Sequence, residues 1–222
     1  MDKFLMEMHC HTSESSNCGN ISAADGVEMY ISKGYGGMVI TDHFQFSDFN
    51  SMSKREYNKK ADMLKMGYEA ALEAANGRIV ILRGAEVRLP ESCNDYLVYG
   101  VDESFIRDNP DMRNMKIEQF SALCRANGLL LIQAHPFRNY MDIVKPELLD
   151  GIEIFNGNAR HDSRNDIAAL WAEKFNFITT SGSDFHETED LANGGTYFDE
   201  PISDSEKLIS LLKSKKYSTM PL

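Results

Sequence analysis

Cysteine is scarce and unpaired in this chain of 222 residues: Cys10, Cys18, Cys93 and Cys124 show no C-x-x-C spacing. That argues against a disulfide framework and points to free thiols in a reducing compartment. No apolar run approaches the roughly 20 residues of a spanning helix, and no signal segment precedes the first apolar run, so a soluble, cytoplasmic protein with no membrane partner is expected. A basic patch is also missing. The one dense basic run, Lys213, Lys215 and Lys216, ends a C-terminal helical segment, where cations complement the helix dipole. With 23 Lys and Arg against 34 Asp and Glu, the formal net charge is -11, which weighs against a nucleic-acid or anionic-membrane partner. Such a protein can hold an anion only if cations invert the local field.

Internal repeats, low-complexity linkers and shifts of composition are absent too, so residues 1–222 are expected to form one domain. With 42% hydrophobic and 26% charged residues, the chain has the makings of a globular core. Apolar runs with strand character alternate with helical segments. Strands are expected at Phe4 to Met8, Gly37 to Thr41, Arg78 to Val87, Leu129 to Gln133, Gly151 to Phe155 and Phe177 to Thr180, with Asp95 to Val101 able to pair beside the third. Helices are expected at Ala23 to Lys33, Lys54 to Ala75, Ile117 to Asn127, Asp162 to Phe175 and Ser205 to Ser214, several of them closed by glycine. The alternation predicts an α/β fold with a mainly parallel sheet, open or closed into a barrel.

Almost every expected strand runs into a residue able to bind a metal. The first leads to His9 and His11, the second to Asp42 and His43, the third holds Glu86, the fourth leads to His135, the next contains Glu153, and the last leads to Asp184 and His186. The carboxyl ends of parallel strands share one face, so these groups should converge. His9 and His11, two apart on a strand, point to one side and can grip one cation, while Cys10 between them should face away and pack. Any one of these histidines alone is better read as an ordinary surface or core residue; their shared topological position is what argues for a site. His, Asp and Glu without thiolates suit Zn, Mn or Fe, with Mg a further option.

The motifs carrying these residues, MHCHTSESS, ITDH, GAEVRL, QAHPFR, EIFNGN and SGSDFHE, occur in an order that resembles the PHP superfamily, named for its polymerase and histidinol phosphatase members. The resemblance implies a distorted (β/α)7 barrel holding two or three divalent metal ions, with metal-dependent hydrolysis of a small phosphate monoester. It implies His9, His11, Glu86 and Asp184 around a first metal, Glu86 and His135 around a second, and His43 and His186 around a third. The chain departs from the pattern twice. Where relatives complete the third site with His or Asp it reads Glu14-Ser-Ser-Asn17, and where they place a His after the Glu86 motif it reads NDYLVYGVDE, so that Asp102 is expected as the ligand with Asp95 in reserve.

In the mechanism this suggests, a hydroxide shared by two metals attacks phosphorus in line. Arg138 and Arg160 are expected to bind the phosphate through bidentate hydrogen bonds, with Arg88 a third candidate; simple salt bridges are the competing reading for all three. Glu153 and Asn156 are expected to orient the histidines, and His161 is a candidate proton donor. Phe44, Phe46, Phe137 and Tyr140 could stack on a substrate ring, although packing is the readier role. The readings set against a monoesterase are a phosphodiesterase or nucleotide phosphatase, C–N bond hydrolysis on a related barrel, and a non-catalytic metal-binding regulatory module.

Overall fold

Short apolar runs form the strands of this chain and longer amphipathic segments form the helices that cover them. The computed structural model describes residues 3–45 and 53–220. Along the chain come β1 (Phe4–Cys10), α1 (Ala23–Ser32), β2 (Gly37–Ile40), β3 (His43–Gln45), α2 (Lys54–Ala75), β4 (Val80–Arg88), β5 (Asp95–Tyr99) and α3 (Glu103–Asp108). They are followed by α4 (Ile117–Ala126), β6 (Leu130–Gln133), β7 (Gly151–Asn156), α5 (Asn165–Phe175), β8 (Ile178–Gly182), β9 (Thr196–Phe198), α6 (Ser205–Ser214) and β10 (Tyr217–Thr219). Helix ends follow local chemistry. Ser22 caps α1, a Ser53–Glu56 capping box opens α2, and left-handed Asn76 closes it.

All these strands belong to one sheet, in the order β10-β9-β1-β2-β4-β5-β6-β7-β8, with β3 beside β4. The sheet curls until its ends meet. A parallel bridge joins Cys10 to Phe185, where His11 N donates to Phe185 O at 3.0 Å and Phe185 N to His9 O at 3.2 Å. The strands β1, β2, β4, β5, β6, β7 and β8 thus form the distorted seven-stranded barrel expected from the motifs. Its sheet is not uniformly parallel: β5 runs antiparallel to both β4 and β6, making a hairpin with β4 in which Arg88 stands opposite Asp95. β9 is also an antiparallel addition, against the free edge of β1 at Phe4 to Met6, and β10 pairs antiparallel with β9.

The barrel interior is filled by Met6, Met8, Val39, Leu82, Leu97, Tyr99, Leu130 and Ile132, and Leu208, Leu211 and Leu212 of α6 join the same cluster. Two further clusters lie under the helices, one of them seating Cys10 against α1 and α2, as the alternation of a strand requires. Burying each such side chain stabilises the fold by about 1.5–3 kcal/mol. Among the described residues no helix is long and apolar enough to cross a membrane.

Candidate metal centre

The register of the sheet shifts in β1 between Glu7 and Cys10 and again in β7 between Glu153 and Phe155. Irregularities of this kind re-aim side chains, and here they turn His9 and Glu153 toward one another: His9 Nδ1 lies 3.0 Å from Glu153 Oε1. Two non-glycine residues of the same region, His135 at φ 30° and Asp184 at φ 51°, sit in the left-handed backbone region. That strain is sustained by what surrounds it. His135 N donates to Glu153 Oε2 at 2.9 Å, and the Asp184 carbonyl accepts from Asn158 Nδ2 at 3.2 Å.

The strand ends bring His9, His11, Glu86, His135 and Asp184 together, each no more than 3% exposed, with His43 and His186 toward solvent. Glu86 is the hub. Its Oε1 lies 3.3 Å from His9 Nε2 and 3.1 Å from His135 Nε2, and its Oε2 lies 3.3 Å from His11 Nε2 and 2.8 Å from His43 Nδ1. Asp184 Oδ1 is 3.4 Å from both His9 Nε2 and His11 Nε2. The hydrogen bonds behind the rings fix which nitrogen faces inward. Glu153, accepting from His9 Nδ1, leaves His9 Nε2 toward the hollow, and His186 Nδ1 donates to Asp184 O at 2.8 Å. The Ser16 hydroxyl donates to Asp42 Oδ1 at 2.7 Å, so it receives the His11 Nδ1 proton at 3.4 Å and leaves Nε2 free. Asn156 bridges, donating to Glu153 Oε2 and accepting from Arg138 Nη2, both at 2.9 Å.

The electrostatics match this geometry. Burial alone would push the Glu86 carboxyl up, but His43, His9 and the hydrogen bond from His135 hold it well below the usual range; Asp184 is held down likewise, chiefly by His9 against its burial. Burial, with His43 and His186 nearby, keeps His11 well below the ordinary imidazole value. His9 is drawn up despite its burial by Asp184, Glu153 and Glu86. The deep oxygens are therefore charged and call for a cation.

The expected ligand Asp102 is not among them. Because β5 runs antiparallel, its first residue, Asp95, stands at the mouth, while the chain leaves for Asp102 at the opposite end. There Asp102 caps α3, its carboxylate accepting from Phe105 N at 2.7 Å. Asp95 Oδ2 lies 4.0 Å from His135 Nε2 and pairs with Arg88 through two hydrogen bonds of 2.8 and 2.5 Å. Arg160 is clamped by Asp190 at 3.0 and 2.8 Å, the ion-pair reading. Arg138 faces inward, with Nη2 on Asp184 Oδ2 at 3.0 Å and on Ser163 Oγ at 3.2 Å, and its buried Nε makes no hydrogen bond. Glu14 turns away and accepts from Ala23 N at the start of α1, and Asn17 is exposed. Cys18, one residue on, was given no role by its sequence context, yet it lines the hollow. The His186 and His43 rings draw its thiol pKa down to about 6 against the effect of burial, although Cys18 is exposed. Of the aromatics, Phe44 is core, Phe137 packs edge-on against Trp171, Tyr140 is 88% exposed and Phe46 falls outside the described residues.

The donors fit divalent cations. His9 Nε2, His11 Nε2, His43 Nδ1 and Glu86 Oε2 are buried, aimed at one another and without a hydrogen bond. Three groups, His9–His11–Asp184, His9–Glu86–His135 and His11–His43–His186, each bring their ligand atoms within 4.8 Å. Glu86, His135, Asp184, His43 and His186 line a hollow of about 300 Å³, with Arg138, Arg160 and His161 on its wall.

Residues 162–217 match the PHP-associated family model. No curated protein sequence matches the chain. Among solved structures, the fold is shared with an assigned metal-dependent phosphoesterase of Bifidobacterium adolescentis at 15% identity and TM-score 0.58, covering 94% of this chain and 95% of that one. It is shared with an amidohydrolase of Chromobacterium violaceum, solved with bound sulfate and no metal, at 15% identity and TM-score 0.61, covering 93% and 96%. A third is Endonuclease Q in complex with a 27-mer duplex substrate bearing an abasic lesion, at 12% identity and TM-score 0.63, covering 96% of this chain and 57% of that one. At these identities the likeness is one of fold.

Proposed function

We propose that this chain, a PHP-superfamily protein by its ordered motifs, its fold and its PHP-associated region, hydrolyses a small phosphate monoester with two or three divalent cations. The observation that carries the reading is the convergence of unpartnered, buried ring nitrogens on the shared carboxylate of Glu86. His9, His11, Glu86 and Asp184 would hold the first cation, Glu86 and His135 with Asp95 the second, and His43 and His186 the third. When bound, such cations lower the pKa of water toward neutrality and neutralise charge on phosphoryl oxygens. Zn, Mn and Fe suit these donors best, and Mg suits the oxygen-rich part.

The remaining steps belong to the protein. Arg138, held by Asn156, Ser163 and Asp184 with Nε still unsatisfied, donates to a phosphoryl oxygen. Arg88 orients Asp95 through its paired hydrogen bonds, and Arg160 stiffens the wall through Asp190. His161, on the same wall, lies below the ordinary imidazole value because of burial and Arg138. Its ring is therefore neutral at pH 7, and it serves the leaving oxygen as a hydrogen-bond donor.

The size of the hollow and the charge of -11 favour a small ester over a duplex. The fold shared with Endonuclease Q supports the second reading, a phosphodiester substrate. The deciding experiment is metal analysis joined to a panel of aryl phosphate, sugar phosphate, mononucleotide and diester, with and without chelator and with Glu86→Ala as control. We expect bound metal, monoester hydrolysis that chelator abolishes, competitive inhibition by inorganic phosphate, and no turnover by the variant. Preferential turnover of the diester selects the second reading, and metal content without hydrolysis selects a regulatory module. Full activity in metal-free protein would falsify the proposal.

A further inference from the structure

We propose that Glu7 is a positioning residue for the first cation: one of its carboxyl oxygens splices the first barrel strand to the end of the last, and so sets the placement of His9 against Asp184. The inference rests on the reading of the hollow as a metal centre. Glu7 lies on β1 two residues before His9, is wholly buried, and has no part in the chemistry proposed above. A carboxyl group taken out of water must find partners for its oxygens. Here Oε1 accepts from His9 N at 2.8 Å and from Ser183 N at 2.9 Å, and Oε2 accepts from the Tyr30 hydroxyl at 2.8 Å.

The two amides lie where the sheet breaks its ladder. The register of β1 against β2 shifts between Glu7 and Cys10, and β1 meets the chain beyond β8 through the isolated bridge of Cys10 to Phe185. One residue before that bridge on one side and two before it on the other, His9 N and Ser183 N both turn to the same carboxyl oxygen. Gly182 lets the strands close in around it, because a Cβ there would stand 2.5 Å from His9 Cβ and 3.0 Å from Glu7 Oε1. From α1, Tyr30 holds the second oxygen, its ring set edge-on against Tyr35 and Phe185. Glu7 is thus fixed at both ends of its carboxyl group.

The amides it grips belong to one ligand and to the neighbour of another. His9 Nε2 and Asp184 Oδ1 stand 3.4 Å apart and share one ligand group with His11. Glu153 fixes the His9 ring through Nδ1, and Ser183 Oγ, accepting from Gly194 N at 3.0 Å, steadies the residue before Asp184. Glu7 fixes the backbone from which both ligand side chains start. Its reach as an acceptor does this, so an uncharged acceptor of the same length should serve as well.

The test titrates chelator-stripped protein with Zn2+ against a chromophoric chelator and melts the metal-free protein alongside. Glu7→Gln keeps an acceptor oxygen and can offer its amide N–H to the Tyr30 oxygen, whereas Glu7→Met fills a similar volume with no comparable acceptor. Glu7→Met should weaken the tightest-bound zinc about 10- to 100-fold, and Glu7→Gln should stay within about threefold of the wild type. A Glu7→Met protein with lowered Tm and unchanged zinc affinity would make Glu7 mere core filling and overturn the inference. Glu7→Gln as weak as Glu7→Met would assign the effect to charge and overturn it too; both results leave the metal centre standing. Should Glu7→Met not fold, Glu7→Gln decides: nitrogen–carbon couplings across the hydrogen bonds from His9 and Ser183 to its side chain should accompany retained zinc affinity, and either without the other overturns the inference. Wild-type protein that binds no zinc brings down the metal centre and this inference together.

Discussion

Asp95 begins the strand that Asp102 follows, and the two carboxylates divide the work of site and scaffold between them. We expect Asp95→Asn to weaken metal binding about 10- to 100-fold, as loss of a carboxylate at or behind a metal does. Asp102→Ala should leave metal content intact and remove a helix cap worth about 1 kcal/mol, lowering Tm by about 2–4 °C. Titration calorimetry and thermal melts on the two variants check this, and metal loss in Asp102→Ala with none in Asp95→Asn would reverse the assignment. The histidines could be read from the sequence because each sits just past an apolar run, a signal that needs no knowledge of distant neighbours. The choice between Asp95 and Asp102 could not, since the two-residue period of a strand is the same in either direction. Cys18 stayed silent for another reason: its place on the wall of the hollow is set by the turn at Gly19 and by the bond from Asn20 to His186, far away in sequence.

Among the elements, α2 shows how a helix is adapted to the loop it covers. Gly67 lies within it, where glycine costs about 1 kcal/mol relative to alanine. A Cβ there would stand 2.1 Å from Thr12 Oγ1, 2.3 Å from Asp42 Oδ2 and 2.8 Å from Ser15 Oγ. Thr12 and Ser16 are the residues that tie Asp42 to the first histidine turn, so the fit is part of the centre's support. We expect Gly67→Ala to destabilise the protein by about 1–3 kcal/mol through overpacking, in spite of its better helix propensity, and to lower metal affinity as well. Denaturant unfolding and metal titration test both parts; a more stable variant with unchanged affinity would show that the contact is slack. The span of α2 was legible from Ser53, Glu56 and the Asn76–Gly77 stop. The helix α3 and the strands β9 and β10 were not, because runs of three to six residues carry too few periods to declare themselves.

For the molecule as a whole, the formal charge of -11 and the buried carboxylates of the centre act in one direction: the empty fold resists its own charge, and cations relieve it. Linkage then predicts that Zn2+ or Mn2+ at about a hundred times Kd stabilises the fold by about 2.7 kcal/mol. Scanning fluorimetry in chelator and in rising metal should show Tm climbing with concentration, and a Tm indifferent to both would mean that the native state takes up no metal. The α/β architecture was legible from the alternation of strands and helices, and the barrel only from the resemblance of the motifs. The alternation could not declare closure, since the bridge between Cys10 and Phe185 joins residues from opposite ends of the chain.

The hairpin of β4 and β5 carries Glu86 and Arg88 on one leg and Asp95 on the other, with Arg88 and Asp95 locked face to face. Leu89 and Asn94 anchor the two ends of its tip by their burial, so length can change only at residues 90–93 without sliding one leg past the other. Descendants of such a chain could refashion the doorway for differently shaped guests while the charged groups beneath keep their spacing, so innovation in what is admitted need not risk the chemistry that follows.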